Sequence, residues 1–479
     1  MTHGGIFTFF LILVTMTAVS AQSRRVAPGA TSDGTKTPVG TSLSSLSVKE
    51  MFNEANGYLK QKGAEFDAKK IPFSDRLFKQ AKLEQRQLAA KYATMAGSRQ
   101  DLAGEDLYYL GMLHWIAENM DGTAESLRKF VALADAAPDR RQTARSIITV
   151  VLAKQKKVDE AEGLLGEYLK SEPKKLTERA RMEAELAKAL QAHKDFSRMA
   201  PHAEESYAAA KALLQDATSR ARGLDEILDS GMLVFEAFRD AGNQKRADEV
   251  LEDMRVTAAS VESPSFYYYA VDKKIKYLVD TGRKAEAKEF YLVSLINAGK
   301  DFAVKSSSAD ALSRLKKREK HYKLLGETAP EMPAVDQWFP GTVKSLADYR
   351  GKVLLLDFWA TWCVPCLEAF PSLKEWKQDF GPDGFEILGV TRYYGLVNGM
   401  SADNPSEIAH LKAFRQREEL PYDFVVARDQ SIQNLYGATG LPTAVLVDRK
   451  GIVRYIETGT SPTRLDELRQ MILKLMAEK

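Results

Sequence analysis

The chain has 479 residues, with 68 Lys and Arg against 65 Asp and Glu, for a formal charge of +3. That length exceeds one ordinary core and calls for two or three folded units. The near balance of charge offers no long-range field to nucleic acid or an acidic membrane, and two cysteines three positions apart exclude a chain stapled along its length by disulfides.

Residues 6–19 form an apolar run that reaches Val19-Ser20-Ala21 ahead of Gln22. The pattern predicts a secretory signal peptide over 1–21, cut after Ala21. The run is short beside the roughly 20 residues of a membrane span. No Lys or Arg precedes it, so an uncleaved anchor stays open as the alternative, while the lack of a following cysteine removes a bacterial lipid anchor. Residues 22–46, rich in Ser, Thr, Gly and Pro, bury too little apolar surface to offset ordering entropy and are expected to be a disordered linker.

From 47 to about 328 the composition turns to Ala, Leu, Glu, Lys and Arg with apolar residues at helical spacing, which predicts an α-helical domain. A turn followed by an early Ala recurs in Asp121-Gly122-Thr123-Ala124, Lys157-Val158-Asp159-Glu160-Ala161, Gly242-Asn243-Gln244-Lys245-Arg246-Ala247 and Gly282-Arg283-Lys284-Ala285-Glu286-Ala287. A small residue there lets antiparallel helices approach across a tight turn, so the pattern predicts helix hairpins stacked as a solenoid. Ala161 followed by Tyr168 and Pro173, together with Leu110-Gly111, resembles a tetratricopeptide repeat; the other copies depart in length and lack the large early aromatic. The Phe266-Tyr267-Tyr268-Tyr269 run reads as helical core with hydroxyls reaching solvent. Lys316-Lys317-Arg318-Glu319-Lys320 reads as a solvated helix face.

Gly326-Glu327-Thr328-Ala329-Pro330-Glu331-Met332-Pro333 punctuates the chain, and the period then changes. Short apolar runs at 353–358, 385–390, 424–426 and 443–448 predict buried strands separated by helices, hence an α/β domain over 329–479. Asp448-Arg449-Lys450-Gly451 predicts a hairpin turn, and Ser461-Pro462 starts a helix with Leu465, Leu468, Ile472 and Leu475 on one face.

The chemistry centres on Cys363-Val364-Pro365-Cys366. Disulfide exchange needs an attacking thiolate and a second thiol that resolves the mixed disulfide, and Cys-x-x-Cys supplies both. A helix starting at Cys363 would stabilise a thiolate there through its free N–H groups, and Pro365 in the first turn sacrifices no hydrogen bond. Asp357 ends an apolar strand six positions earlier; buried under the pair, it would have a raised pKa and take the proton of Cys366. A zinc site would need two more ligands, and no paired histidine motif supplies them, so no metal and no cofactor is expected.

Trp359-Ala360-Thr361-Trp362-Cys363-Val364-Pro365-Cys366 resembles the thioredoxin superfamily, closest to its TlpA-like and ResA-like extracytoplasmic oxidoreductases. The likeness covers about 330–479 and extends to Pro371, where the active-site helix kinks in such proteins, and to Gly440-Leu441-Pro442-Thr443, which matches the cis-proline loop. It implies that Leu441 and Pro442 present backbone to an extended substrate segment and that Trp362 and Pro365 shape the surface around the sulfurs. An insert is implied around 393–422, with a helix near 408–418. Members often carry Glu three residues after the second cysteine; here that position is Ala369, so the proton role falls to Asp357, and Glu368 reads as surface charge.

The expected function is a protein-disulfide reductase of the periplasm or cell envelope. Its partners would be a disulfide-bearing protein substrate, a thiol donor such as a membrane electron carrier, and a protein bound on the helical repeats; no nucleic acid is expected. The oxidising direction stays open, because local changes move the potential by tens of millivolts. Two alternatives are a protein-binding scaffold with a redox-controlled latch, and a thiol peroxidase. Peroxiredoxins share the fold but carry Pro-x-x-x-Thr-x-x-Cys, whereas Thr361 stands two before Cys363 and residue 356 is Leu.

Overall fold

The computed structural model describes residues 46–72, 74–215 and 217–478. The expected signal peptide at 1–21, and all of the expected linker but its last residue, lie outside the described residues. The chain divides into two compact units that part between Ala241 and Gly242.

The first unit is helical: α1 (Val48–Ala68), α2 (Asp75–Gly97), α3 (Glu105–Ile116), α4 (Met120–Val131), α5 (Pro138–Lys154), α6 (Val158–Leu169), α7 (Leu176–Ala192), α8 (Phe196–Gln215) and α9 (Arg220–Asp240). Successive helices pack as antiparallel hairpins, α3 on α4, α5 on α6 and α7 on α8. The recurrent alanines do what their size allows: Ala124 and Ala161 are buried where the second helix of a hairpin begins. Gly111 on α3 leaves room for Leu127 of α4, whose Cδ2 would lie 2.5 Å from a Cβ at that position. Asn119 caps α4 by accepting the Gly122 N–H at 3.0 Å.

The second unit opens with α10 (Gln244–Ser260), α11 (Pro264–Asp280), α12 (Lys284–Asp301), α13 (Lys305–Lys317) and the short α14 (Glu319–Leu324). Ala247 and Ala287 are buried here in the same way as their counterparts above. Two expectations are corrected. Tyr267 does not send its hydroxyl to solvent: it is fully buried, donating to the Ser294 carbonyl at 3.2 Å and accepting from Arg255 at 3.0 Å. The basic run at 316–320 is not wholly a solvated face, because the helix breaks after Lys317 and the turn carries Arg318 inward, leaving it 7 % exposed.

The rest of the unit is a six-stranded sheet ordered β1-β6-β3-β2-β7-β8. The strands are β1 (Val335–Phe339), β2 (Val353–Phe358), β3 (Phe385–Arg392), β6 (Asp423–Ala427), β7 (Thr443–Val447) and β8 (Val453–Thr458); a small hairpin of β4 (Leu396–Val397) and β5 (Met400–Ser401) leaves the sheet. β2, β3 and β6 are parallel, while β1, β7 and β8 join antiparallel. Every side chain of β2 is buried, as its unbroken apolar run requires of a central strand. Helices α15 (Val364–Phe380), α16 (Asn404–Arg417), α17 (Ser431–Tyr436) and α18 (Pro462–Ala477) complete the α/β layers. The insert therefore holds the β4–β5 hairpin and α16, and β1 is a strand that the apolar pattern did not announce. No helix among the described residues is long and apolar enough to cross a membrane.

Candidate functional site

β2 ends at Phe358, the chain turns through Trp359 and Thr361, and α15 begins at Val364 with Cys363 as its N-cap. Cys363 and Cys366 are joined as a disulfide, with Sγ atoms 2.02 Å apart. The Cys366 N–H donates to Cys363 Sγ at 3.3 Å. A sulfur at this place faces the open amides and the positive end of α15, which favours its anionic form. Cys366, one turn along, is 1 % exposed, whereas its neighbours Trp362 and Val364 are 55 % and 62 % exposed. Cys363 is covered as well, at 4 % exposed, so both cysteines lie beneath a rim of exposed side chains.

Trp362 meets Tyr394 of the insert edge to face, with ring centroids 5.2 Å apart. The Arg392 guanidinium lies 4.1 Å from the Tyr394 centroid, and Gln433 ties the two by accepting from Arg392 Nε at 2.9 Å and donating to the Tyr394 hydroxyl at 3.0 Å. The insert so braces one side of the site. Trp359, by contrast, is fully buried between Phe370, Phe414 and Phe424 and belongs to the core.

The Leu441–Pro442 peptide is cis. The Thr443 hydroxyl donates to the Gly440 carbonyl at 2.7 Å, and the Gly459 N–H donates to the Pro442 carbonyl at 2.7 Å. Pro442 is buried and Leu441 partly so. Pro365 is exposed beside the sulfurs, and Glu368 is exposed on the outer face of α15.

Asp357 is 5 % exposed on β2, and burial raises its pKa to about 7. It lines a cavity of about 30 Å³ with Ala369 and Leu373 of α15, Pro442, Tyr455 and Thr460. Cys366 and Ala369 lie three residues apart on one face of α15, so the acid sits under the turn that carries the second sulfur. The residue at 369 lines the same cavity as Asp357.

Sequence reasoning missed a cluster joining α11 and α14 to β8. Lys276 Nζ lies 2.7 Å from Asp272 and 2.6 Å from Glu457. Arg318 approaches the same two carboxylates at 3.6 and 3.7 Å, and the Tyr322 hydroxyl donates to Asp272 at 2.9 Å. Burial works to raise the pKa of Asp272, but Lys276 and Arg318 outweigh it and hold the group well below the usual carboxylate range. The i,i+4 pair Asp272/Lys276 was visible in the sequence; its burial was not, because its partners come from about 45 and 180 residues further on.

A helix-capping disulfide just past the C-terminal end of a central strand of a mixed sheet, with a cis-proline loop at the end of the neighbouring strand and a buried acid in the strand itself, defines a thioredoxin-fold thiol–disulfide oxidoreductase. The Redoxin family model matches residues 325–472. The thiol-disulfide oxidoreductase ResA of Geobacillus thermodenitrificans is 34% identical over 142 residues, covering 30% of this chain and 74% of that protein. The thioredoxin-like protein YneN of Bacillus subtilis is 29% identical over 135 residues, covering 28% and 72%. A thiol-disulfide isomerase structure from Corynebacterium glutamicum is 21% identical, covering 32% of this chain and 98% of that one, with a TM-score of 0.28. The chain belongs to the ResA-like family of thiol–disulfide oxidoreductases within the thioredoxin superfamily.

Proposed function

We propose that the protein reduces disulfides of other proteins outside the cytoplasm, with Cys363 as the nucleophile. The observation that carries this is the place of Cys363 Sγ at the N-cap of α15, accepting the Cys366 N–H beside exposed Trp362. In the reduced enzyme the Cys363 thiolate attacks one sulfur of a substrate disulfide, forming a mixed disulfide and releasing the other sulfur as a thiolate. Cys366 gives its proton to the Asp357 carboxylate and attacks Cys363 Sγ; the enzyme disulfide forms and the second substrate thiolate leaves. A pKa of about 7 leaves Asp357 ionised often enough near neutrality to accept that proton, and protonated often enough to return it. Leu441 offers backbone to an extended substrate segment beside the cis Pro442, while Trp362 and Pro365 form the surface against which it rests. A thiol donor, such as a membrane electron carrier, restores the dithiol.

The apolar run at 6–19 supports export, and the resemblance of the Trp359-to-Cys366 motif supports the reducing direction. The helical hairpins offer a surface on which a protein partner is selected. Cys366→Ser in the full-length chain is expected to accumulate mixed disulfides with its substrates, and Cys363→Ser to accumulate none. A reduction potential near about −120 mV, that of strongly oxidising relatives, refutes the reducing direction. Deleting residues 47–241 retains α10–α14 with the sheet; equal reduction of insulin and of the trapped proteins by this variant refutes partner selection by the first unit.

A further inference from the structure

Helix α17 is six residues long, so its last carbonyls depend on donors from other parts of the chain. Two of those donors come from α14, in the helical segment that precedes the sheet. Lys320 Nζ donates to the Asn434 carbonyl at 2.6 Å, and His321 Nε2 to the Gly437 carbonyl at 2.9 Å. His321 is 3 % exposed; burial, with the Arg318 charge beside it, pushes its pKa down to about 4. The ring is therefore neutral at working pH, and because a carbonyl only accepts, Nε2 carries the proton. Gly437 is suited to this contact: its φ is +68°, and a Cβ there would lie 2.7 Å from His321 Cδ2 and 3.1 Å from Lys320 Cβ.

α17 in turn reaches the redox site on two sides. Its buried Gln433 accepts from Arg392 and donates to the Tyr394 hydroxyl, and Tyr394 carries Trp362 edge to face. The Tyr436 ring packs on Phe358, the last residue of β2, with centroids 5.4 Å apart. On the other side the Ala438 N–H returns to the Gln433 carbonyl at 2.8 Å, and the Thr439 N–H donates at 2.9 Å to the same Gly437 carbonyl that His321 holds. The cis Leu441–Pro442 peptide follows directly. α17 thus stands between α14 and both walls of the substrate surface, Trp362 on one side and the Leu441 backbone on the other.

We propose that Lys320 and His321 are positioning residues for the redox site: by holding the C-terminal carbonyls of α17 they keep the Trp362 brace and the cis-proline loop in place together for a polypeptide substrate. The inference rests on the reading of Cys363 as the nucleophile toward protein disulfides. It gives the end of the helical segment a part in the substrate surface, separate from partner selection by the first unit. Neither side chain is hydrogen-bonded to a sulfur, so attack of Cys363 on a small disulfide, which needs neither wall, does not depend on them. A polypeptide must meet both walls at once. A loop free to shift by about an ångström therefore weakens its binding, while bond exchange in the bound complex keeps its rate.

The test is rapid mixing of the prereduced full-length chain with two symmetric disulfides: a short peptide bearing one central cysteine, oxidised to its disulfide-linked dimer, and the disulfide of mercaptoethanol. Tryptophan fluorescence reads oxidation of the protein. In the double variant Lys320→Met, His321→Phe the half-saturating concentration of the peptide disulfide is expected to rise at least about fivefold, with its limiting rate and the rate with the mercaptoethanol disulfide within about twofold of the parent. His321→Gln keeps an amide donor for the Gly437 carbonyl and is expected to stay within about twofold of the parent, whereas His321→Phe alone is not. Equal slowing with both disulfides shows general damage to the site and overturns the inference, as does a glutamine variant no better than phenylalanine. Parent-like values in the double variant overturn it and leave the role of Cys363 standing; a parent that reacts with neither disulfide overturns both. Should the double variant fail to fold, Lys320→Met alone decides, since that side chain is exposed: a rise of at least about twofold confined to the peptide disulfide supports the inference, and no rise overturns it.

Discussion

Asp357→Asn should stabilise the oxidised protein, and by an amount that grows with pH. The unfolded chain releases this proton near its ordinary value of 3.8, whereas burial holds it in the folded protein up to about 7. Between those values the folded state binds more protons than the unfolded one, so stability falls as pH rises. The acid's contribution is fully present below pH 3.8 and lost as pH passes through 7. A shift of three units corresponds to about 4 kcal/mol at pH 8, and the same two pKa values give under about 2 kcal/mol at pH 5. Asparagine keeps the shape and cannot ionise, so the gap in unfolding free energy between variant and parent should widen by about 2–3 kcal/mol from pH 5 to pH 8. Denaturant unfolding followed by tryptophan fluorescence measures this, since Trp338, Trp359, Trp362 and Trp376 report on the second unit. The oxidised state is the right one to use, because its cysteines do not titrate. A gap that is constant across this range would show that Asp357 is ionised in the folded protein at pH 5, and would remove the basis for its proton role.

Gly389→Ala should destabilise the second unit by about 1–3 kcal/mol in the same assay, because the new Cβ would lie 2.7 Å from Trp359 Nε1 and 2.9 Å from Phe424 Cβ in a packed core. Arg318→Met leaves Asp272 and Glu457 with Lys276 alone; breaking a buried ion cluster on one side costs about 3–5 kcal/mol, so a low denaturation midpoint is expected. Ala369→Glu in the Asp357→Asn background should restore part of the lost resolution rate, since residue 369 faces the same cavity. Rapid-mixing kinetics of the single and double variants measure that recovery.

Much of the site was legible because its chemistry is local. Cys363 and Cys366 are three residues apart on one helix turn, Pro365 shares that turn, and Asp357 is the last residue but one of the strand before it, so spacing and strand pattern pointed to all four. The strands at 353–358 and 443–448 were legible for the same reason, being continuous apolar runs between turns. β1 was not, because Val335-Asp336-Gln337-Trp338-Phe339 lies at the sheet edge, where one side stays wet and the apolar signal thins. The role of Arg318 was hidden too: within Lys316-Lys317-Arg318-Glu319-Lys320 nothing marks one cation as buried, and only the break between α13 and α14 turns it inward. Tyr455 and Thr460 carry no motif, and their relation to Asp357 exists only once β8 lies two strands from β2.

The boundary in composition at 326–333 marks the start of the sheet, yet the compact unit that holds the sheet begins at Gly242. The reason lies in where charge is neutralised. Glu457 on β8 has its cations on α11 and just before α14; Asp280 at the end of α11 pairs with Arg454 of β8 at 3.2 Å, and Lys273 pairs with Glu467 of α18 at 2.7 Å. Removing residues 47–325 would strip Glu457 of both cations and leave a buried carboxylate beside the Asp357 cavity, the kind of uncompensated charge a fold tolerates least. Loss of activity in such a truncation would then report damage to the catalytic unit and say nothing of partner selection. A cut before Gly242 keeps every one of these pairs, which makes it the cut that separates the two questions.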